Sequence, residues 1–340
     1  MAERIDDDLD RLALIADIGG TNARFALTDA APVPRILHSR SLRNADYASL
    51  QHAAEAYLAG VGARPRRAAL ALACPVHTDE IRLTNRAWSF NRSELRDALG
   101  LDELNLLNDF GAVAWSVPAL AEGERVHLYG PLRHALEGPV SVLGPGTGFG
   151  VALLVGDAAR GWQAVETEGG HVSFAPIGDE EHALARWMNA RHGRTSWERL
   201  LSGSGLSSID AVLRGIAAGV DVGTPHLALA PREPAAVVAA ALDGHDAVAR
   251  RSLARFCSIL GSVAGDAALI HGARTVMIAG GIIPRFIPYL RSSAFRERFL
   301  SKGRFAAYLE SVSVQVVTHP HPGLLGAAVA LRRPDATETV

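Results

Sequence analysis

The most constraining feature of this 340-residue sequence is a short pattern that occurs twice. In each copy an apolar strand leads into a glycine-rich turn that contains a threonine, and a second apolar strand follows the turn. The two turns span residues 18–22 and 145–150, and their threonines are Thr21 and Thr147. The repeat predicts two related halves, each beginning with a β-hairpin that has a glycine-rich tip.

The rest of the chain shows both strand and helix periodicity, which predicts an α/β fold. The predicted strands span residues 11–17, 23–28, 67–73, 104–107, 140–144, 151–155 and 275–279. The predicted helices span residues 49–58, 93–99, 110–120, 180–192, 207–217, 235–242 and 247–270, with one more at the C-terminal end. Residues 122–139 combine Gly, Pro and mixed charge, which is typical of a connection between domains.

Of the 34 basic residues, only Lys302 is a lysine. A P-loop, a protein kinase and a Schiff-base enzyme each need a lysine in a specific context, and Ser-Lys-Gly-Arg provides none of them. The formal net charge is −2, and charges of both signs are interspersed along the chain. This pattern argues against a nucleic-acid or membrane partner and favours a small-molecule substrate.

The cysteines and the N-terminal residues indicate the cellular compartment of the protein. Cys74 and Cys257 are far apart, so the sequence supports neither a disulfide framework nor a cysteine zinc cluster. The acidic leader before Arg11 lacks the apolar stretch of a signal peptide, and no segment of about 18 residues is apolar without a charge. We therefore expect a cytoplasmic protein.

Asp17 is expected at the end of a strand, directly before the first glycine-rich turn. Gly19 and Gly20 in that turn let backbone N–H groups approach phosphate oxygens. A carboxylate at this position suits hydrated Mg²⁺, which prefers one or two carboxylates together with water and substrate phosphates. The alternative is a plain tight hairpin, and this motif alone leaves both interpretations open.

Two other glycine-rich turns also follow predicted strands. Residues 144–150 have spacing like that of a dinucleotide fingerprint, but a strand rather than a helix follows them, so a hairpin tip that contacts phosphate is favoured. Gly280 and Gly281 could admit a base or ribose, or could simply allow close packing. The three glycine loops taken together favour nucleotide binding.

Polar residues follow the strand predicted at residues 104–107 and also cluster at residues 166–171. Asp109 at the first position could accept a proton from an attacking hydroxyl, or could simply cap the following helix. Glu168 and His171 suit a polyhydroxy ligand, because carboxylates accept hydrogen bonds from hydroxyls and imidazole can donate or accept. The rival metal site lacks the usual ligand spacing. Taken alone, Glu198 is typical of a solvated helix residue.

These motifs occur in one order along the chain: Asp-Ile-Gly-Gly-Thr-Asn-Ala-Arg, Asn-Asp-Phe, Gly-Pro-Gly-Thr-Gly-Phe-Gly, Glu-Gly-Gly-His-Val-Ser-Phe-Ala-Pro, Glu-Arg-Leu-Leu-Ser-Gly-Ser-Gly-Leu and Ile-Ala-Gly-Gly-Ile-Ile-Pro-Arg-Phe. Together they resemble bacterial glucokinases of the type without a zinc-binding motif, over residues 14–331. The related subgroup with a cysteine-rich zinc signature is disfavoured, because no cysteine lies between Cys74 and Cys257. The acidic leader is an extension of the family pattern.

The resemblance implies the fold of the sugar kinase, actin and heat-shock ATPase superfamily. In that fold two ribonuclease-H-like α/β domains enclose an interdomain cleft. The expected small domain consists of residues 1–121 plus 320–340 and carries the phosphate hairpin and the catalytic aspartate. The expected large domain consists of residues 122–319 and binds sugar and adenosine.

The resemblance also implies a role for each motif residue. Asp109 would be the general base on the sugar 6-hydroxyl, and the other hydroxyls would be bound by Asn108, Glu168, His171 and Glu198. The implied ATP and Mg²⁺ site consists of Asp17, Ile18, Gly19, Gly20, Thr21, Asn22, Gly146, Thr147, Gly148, Gly280 and Gly281. In this site Asp17 would hold Mg²⁺ through water, and the last glycine pair would contact adenosine.

The implied activity is ATP-dependent phosphorylation of D-glucose to glucose 6-phosphate, the first step of glycolytic glucose use. Its partners are then glucose and ATP, and a homodimer is expected because relatives commonly form one. Three alternatives are a kinase with another hexose or phosphoryl donor, a sugar-sensing regulator without catalysis, and an actin-type structural protein. The intact Asp17 and Asp109 argue against the regulator, and an actin-type role leaves residues 166–171 unexplained.

Overall fold

The chain folds into two compact units, each built on its own β-sheet. The computed structural model describes residues 9–29, 31, 33–83, 88–133, 135–220 and 229–332, so most of the acidic leader and the polar tail lie outside the described residues. The first unit comprises Met1–Ala121, Trp162–Glu166 and His319–Val340, and the second comprises Glu122–Gly161 and Thr167–Thr318. This division differs from the expected domain boundaries mainly in grouping Trp162–Glu166 with the first unit.

The elements are numbered along the chain. Up to residue 121 they are β1 (Ala13–Ile18), β2 (Asn22–Thr28), β3 (Ile36–Arg43), α1 (Leu50–Val61), β4 (Arg67–Leu72), β5 (Glu80–Arg82), β6 (Ser89–Asn91), α2 (Arg92–Ala98), β7 (Glu103–Asn108) and α3 (Asp109–Ser116). Next come β8 (Arg125–Tyr129), β9 (Val140–Pro145), β10 (Phe149–Asp157), β11 (Gly161–Thr167), α4 (Gly178–His192), α5 (Trp197–Leu200), α6 (Gly203–Ala217), α7 (Pro234–Asp243) and α8 (Ala247–His271). The last are β12 (Thr275–Ile278), α9 (Ile287–Ser292), α10 (Phe295–Leu300), α11 (Ala306–Glu310), β13 (Ser313–Val317) and α12 (Pro322–Ala330).

The two sheets repeat one strand order. In the first sheet the order is β3-β2-β1-β4-β7, and in the second it is β11-β10-β9-β12-β13-β8. In each sheet a hairpin of antiparallel strands, β1–β2 or β9–β10, is followed by two parallel neighbours. The predicted repeat of two α/β halves is therefore confirmed, and β8 is the added edge strand of the second half.

Several predicted boundaries shift for identifiable reasons. The segment at residues 122–139 is not only a connection, because it contains β8, which pairs antiparallel with β13. The helix predicted to reach residue 120 ends at Ser116 and continues as a 3₁₀ turn containing Pro118, since proline cannot donate a helical hydrogen bond. The prediction also missed β3, whose residues are mostly exposed and lack an apolar alternation.

Helix α8 is the one described helix that is long and apolar enough to cross a membrane by length and composition. Within the fold, however, 72% of its most apolar 18-residue window is buried. Leu253, Phe256 and Leu260 are among the buried α8 residues that contribute to the apolar core of the second unit. The structure therefore explains the apolar character of α8 by its position in the protein core.

A buried ionic network joins α6, α8 and the segment that precedes α7. The carboxylate of Asp210 has no exposed surface and accepts hydrogen bonds from Arg214 Nε at 2.8 Å and Arg232 Nε at 2.9 Å. Arg232 also donates to Asp246 Oδ2 at 2.6 Å, and Ser252 Oγ donates to Asp210 Oδ1 at 3.4 Å. Because the aspartate is fully desolvated, these donors are what make its burial tolerable.

Replacing Asp210 by alanine should therefore destabilise the second unit. We expect the free energy of unfolding to fall by about 3 kcal/mol, the lower end for a broken buried pair because both arginines keep some contact with water. Chemical denaturation measures this value. The matched control is Glu137→Ala, which removes a half-exposed partner of Arg133 and should cost less than about 1 kcal/mol. Equal effects of the two variants would contradict the prediction.

Candidate active site

Asp17 lies at the C-terminal end of β1, one residue before the strand ends. The N-terminal turn of α12 packs against its carboxylate: a Cβ on Gly323 would lie 3.0 Å from the Asp17 Cγ and Oδ2 atoms. Glycine at residue 323 thus allows the start of a helix to approach a carboxylate closely. A helix N-terminus carries partial positive charge, so this contact favours the ionised form of Asp17.

Arg24 provides a second positive charge near Asp17. The two residues are directly opposite each other in the β1–β2 hairpin. Burial raises the pKa of Asp17 above its ordinary value, and the Arg24 guanidinium partly offsets that increase. The carboxylate is therefore costly to keep ionised, and shifted pKa values of this kind are common at functional sites.

The turn after Asp17 presents backbone groups and small side chains. Gly19 N–H donates to Asn22 O at 3.0 Å, while Asn44 Nδ2 donates to Gly19 O at 2.8 Å and fixes the turn from the side. Thr21 and Asn22 are exposed. Ile18 is fully buried in the apolar core, so only its backbone could contact a ligand.

Asp109 is the first residue of α3, directly after β7. The helix cap is not Asp109, as one interpretation of the sequence allowed, but Asn108: its Oδ1 accepts the N–H groups of Phe110 at 2.9 Å and Gly111 at 3.2 Å. Asp109 Oδ1 also accepts the Phe110 N–H at 2.8 Å. Asn108 therefore caps α3, and Asp109 follows it directly at the carboxyl end of a parallel strand, the edge where open α/β sheets bind ligands.

The second glycine turn connects β9 to β10. Gly146 N–H donates to Gly148 O at 2.8 Å, and Gly203 N–H at the start of α6 donates to Gly146 O at 3.0 Å. No atom lies within 4 Å of where a Cβ on Gly146 would be, whereas a Cβ on Gly148 would overlap the carboxylate of Glu198. Contacts with Gly203 and Glu198 thus fix this turn, while the space beside the Gly146 Cα atom is open.

Glu198, Glu168 and His171 converge on the start of β10. Glu198 Oε2 accepts the Phe149 N–H at 3.0 Å, and Glu168 forms a β-bridge with Val151. Glu168 and His171 flank a 3₁₀ turn, with Glu168 Oε2 3.9 Å from His171 Nε2, and both side chains are more than half exposed. The Trp197 N–H donates to Val172 O at 2.9 Å, which brings the Glu198 segment beside His171.

Gly280 and Gly281 follow β12, but they differ in their surroundings. Gly280 has φ +94°, and a Cβ there would overlap Pro145 O, so glycine is required by backbone conformation and by packing against the end of β9. Around Gly281 no atom lies within 4 Å of the Cβ position. Close packing thus accounts for Gly280, and only Gly281 leaves open space for a ligand.

The described residues also limit how a metal could be held. They contain no group of three or more His, Cys, Asp or Glu side chains that could bind a metal ion. A cage of protein ligands is therefore not formed in the described part of the chain. A single partly buried carboxylate, Asp17, instead fits Mg²⁺, which is commonly held by one or two carboxylates with water and phosphate oxygens.

Two side chains at these sites were missed in the sequence. Arg24 could have been found, because counting outward from the hairpin tip pairs it with Asp17. The second is Glu166, whose Oε1 accepts the Asn108 N–H at 2.8 Å. That contact joins residues 58 positions apart, and no local sequence signal indicates it.

Comparison with known proteins agrees with this architecture. A family model described as Glucokinase matches residues 14–334. The glucokinase of Chromohalobacter salexigens is 45% identical over 335 residues, which cover 96% of this chain and 99% of the relative. The solved structure of a glucokinase from an Antarctic psychrotroph matches with a TM-score of 0.80 and 36% identity, over 94% of this chain and 98% of that one.

The glucokinase of Balamuthia mandrillaris, solved in complex with glucose, matches with a TM-score of 0.79 and 21% identity. The match covers 95% of this chain and 94% of that one, and at this identity it shows a shared fold alone. These structures confirm the expected sugar kinase type of fold. From its family-model match and its similarity to curated relatives along nearly its whole length, the chain belongs to the glucokinase family.

Proposed function

We propose that this protein transfers the γ-phosphoryl group of ATP to the 6-hydroxyl of D-glucose and so forms glucose 6-phosphate. Membership of the glucokinase family supports this assignment. The single structural observation that carries it is the placement of Asp109 at the carboxyl end of β7, with the helix cap supplied by Asn108. This arrangement places a carboxylate at the edge of the sheet where ligands bind, and there it would accept the hydroxyl proton during phosphoryl transfer.

In this mechanism the first unit contributes the base and one phosphate-binding turn. Asp109 accepts the proton of the attacking 6-hydroxyl as that oxygen bonds to the γ-phosphorus, and ADP leaves. The turn of Gly19, Gly20, Thr21 and Asn22, with the backbone of Ile18, directs N–H groups to phosphate oxygens. Asp17 would hold Mg²⁺ through water, and the bound ion would neutralise phosphate charge.

The second unit contributes groups for sugar and nucleotide. The sugar hydroxyls are bound by Glu168, His171 and Glu198, and Asn108 has the same role. The carboxylates accept hydrogen bonds that hydroxyls donate. Gly146, Thr147 and Gly148 approach the phosphates, and Gly281, with its open face, contacts adenosine beside Gly280. We assign these roles to two domains, which comprise residues 1–121 plus 320–340 and residues 122–319. We also propose that the protein is a cytoplasmic homodimer and that it acts in glycolysis.

The most direct test crosses a panel of hexoses with several phosphoryl donors. Glucose, fructose and mannose should each be incubated with ATP, ADP and polyphosphate, and product should be measured as sugar phosphate. The proposal predicts the highest kcat/KM with glucose and ATP. Glucose binding without phosphoryl transfer would instead identify a sugar-sensing regulator, and a preference for another sugar or donor would overturn the substrate assignment.

The variant Asp109→Asn should retain glucose binding but lose turnover. An amide cannot take up the hydroxyl proton, so we expect kcat to fall by about 10² to 10⁴-fold. Steady-state kinetics measures kcat, and calorimetric titration measures glucose binding. The control is Lys302→Arg, since the sole lysine pairs with Asp266 at 2.5 Å and has no part in the mechanism. Near-normal turnover of Asp109→Asn would exclude Asp109 as the base.

The variant Asp17→Asn should lower activity and at the same time raise the melting temperature without Mg²⁺. Because burial raises the pKa of Asp17, the folded protein is less stable with this carboxyl group ionised than with it protonated. The free energy of unfolding therefore falls as the pH rises from the ordinary pKa to the raised pKa. The neutral amide avoids this loss. Thermal melts from pH 4 to pH 8 should show the variant's advantage growing with pH. A variant that is less stable at every pH would contradict the prediction.

A further inference from the structure

Glu166 contacts the turn that carries Asp109, and the mechanism above does not use it. Its Oε1 accepts the backbone N–H of Asn108 at 2.8 Å, and its side chain is partly buried. Asn108 in turn accepts two N–H groups of α3 through its own side chain. Two contacts therefore fix the peptide that precedes Asp109. Glu166 accepts the Asn108 N–H, and the Asn108 side chain caps α3.

The space that Glu166 occupies exists because residue 111 is glycine. Gly111 is the third residue of α3, a position where glycine costs about 0.5–1 kcal/mol relative to alanine. A Cβ there would lie 2.7 Å from both Cγ and Oε1 of Glu166 and 3.0 Å from its Cδ. Glycine at residue 111 therefore lowers the stability of α3, but the methyl group of an alanine there would displace the Glu166 carboxylate.

The charge of Glu166 suits its place at the start of α3. The first N–H groups of a helix carry partial positive charge, which stabilises a carboxylate beside them. A hydrogen bond to an ionised acceptor is also stronger than one between neutral groups. The contact between Glu166 and Asn108 therefore helps to fix the junction between β7 and α3.

We propose that Glu166 is a positioning residue for the general base: it holds the Asn108 peptide so that Asp109 meets the acceptor hydroxyl in the productive geometry. This inference rests on the proposed function. In this role Glu166 would act through the Asn108 peptide rather than by contact with the reacting atoms. Its effect should appear in kcat rather than in KM for glucose, because a displacement of about 1 Å at a catalytic group can cost about 10²-fold in rate.

The residues that follow Glu166 at the end of β11 are held by a separate contact. Glu166 is two residues before Glu168, which we assign to sugar binding. Thr167 between them is fixed separately, since its Oγ1 donates to Val151 O at 2.6 Å. A change at Glu166 can therefore release Asn108 while the Glu168 segment keeps its own anchor on β10.

The test compares Glu166→Ala, Glu166→Gln, Gly111→Ala and the double variant Gly111→Ala/Glu166→Ala. For Glu166→Ala we expect kcat to fall by about 10- to 100-fold, with KM for glucose changed less than about twofold. Glu166→Gln keeps an oxygen that can accept the Asn108 N–H, so it should restore most of the turnover lost in Glu166→Ala. Gly111→Ala should lower kcat by displacing Glu166, and the double variant should be no worse than Glu166→Ala alone.

Hydrogen exchange at the Asn108 amide provides a measurement that does not depend on activity. Exchange should accelerate by about tenfold or more in Glu166→Ala and Gly111→Ala, but not in Glu166→Gln. Unchanged exchange in Glu166→Ala, wild-type kcat in that variant, or a loss confined to KM would overturn the inference. If the wild-type protein phosphorylates no sugar, the proposed function fails and Glu166 cannot be a positioning residue for a base, whatever the exchange rates show about its hydrogen bond.

Discussion

The parallel pairing of β1, β4 and β7 is the constraint on which the chemistry of the first unit depends. In this register Ile18 is opposite Leu72, and Leu72 is opposite Asn108, so β1 and β7 end at the same edge. Neighbouring strands are about 4.8 Å apart, which places the ends of β1 and β7 about 10 Å apart. Asp17 and Asp109 are therefore two carboxylates at one sheet edge.

The second unit repeats the strand order of the first. The ends of β9 and β12 approach so closely that a Cβ on Gly144 would overlap Ala279 O, and one on Gly280 would overlap Pro145 O. The glycines at these strand ends are needed for packing, independently of any ligand. A glycine-rich sequence at a strand end therefore indicates close backbone contact first, whereas Gly146 and Gly281 have open space at the Cβ position and are not explained by packing.

The sequence predicted what depends on local chemistry. Hairpin tips and the strand ends at Asp17 and Asp109 follow from apolar runs that stop at glycine, asparagine and aspartate. What it could not predict depends on distant partners. Strand β8 is recognisable only through its pairing with β13, and Glu166 matters only because Asn108, 58 positions earlier, donates to it. The roles of Glu168, His171 and Glu198 rest on family resemblance, and the structure adds that all three lie near the start of β10.

Several features near Asp109 and Asp17 lower stability, and close helix packing opposes that loss. Burial disfavours the ionised form of Asp17, Gly111 weakens the first turn of α3, and Glu166 places a carboxylate against the Asn108 N–H. Helix α12 packs so closely against α3 that a Cβ on Gly326 would overlap Ala112 O, and its N-terminal turn also contacts Asp17. The same helix thus supports both carboxylates: its start offsets charge at Asp17, and its middle fixes the helix that presents Asp109. Arg24 and the start of α12 bring positive charge to Asp17 without a lysine, while the only lysine, Lys302, forms an ion pair with Asp266.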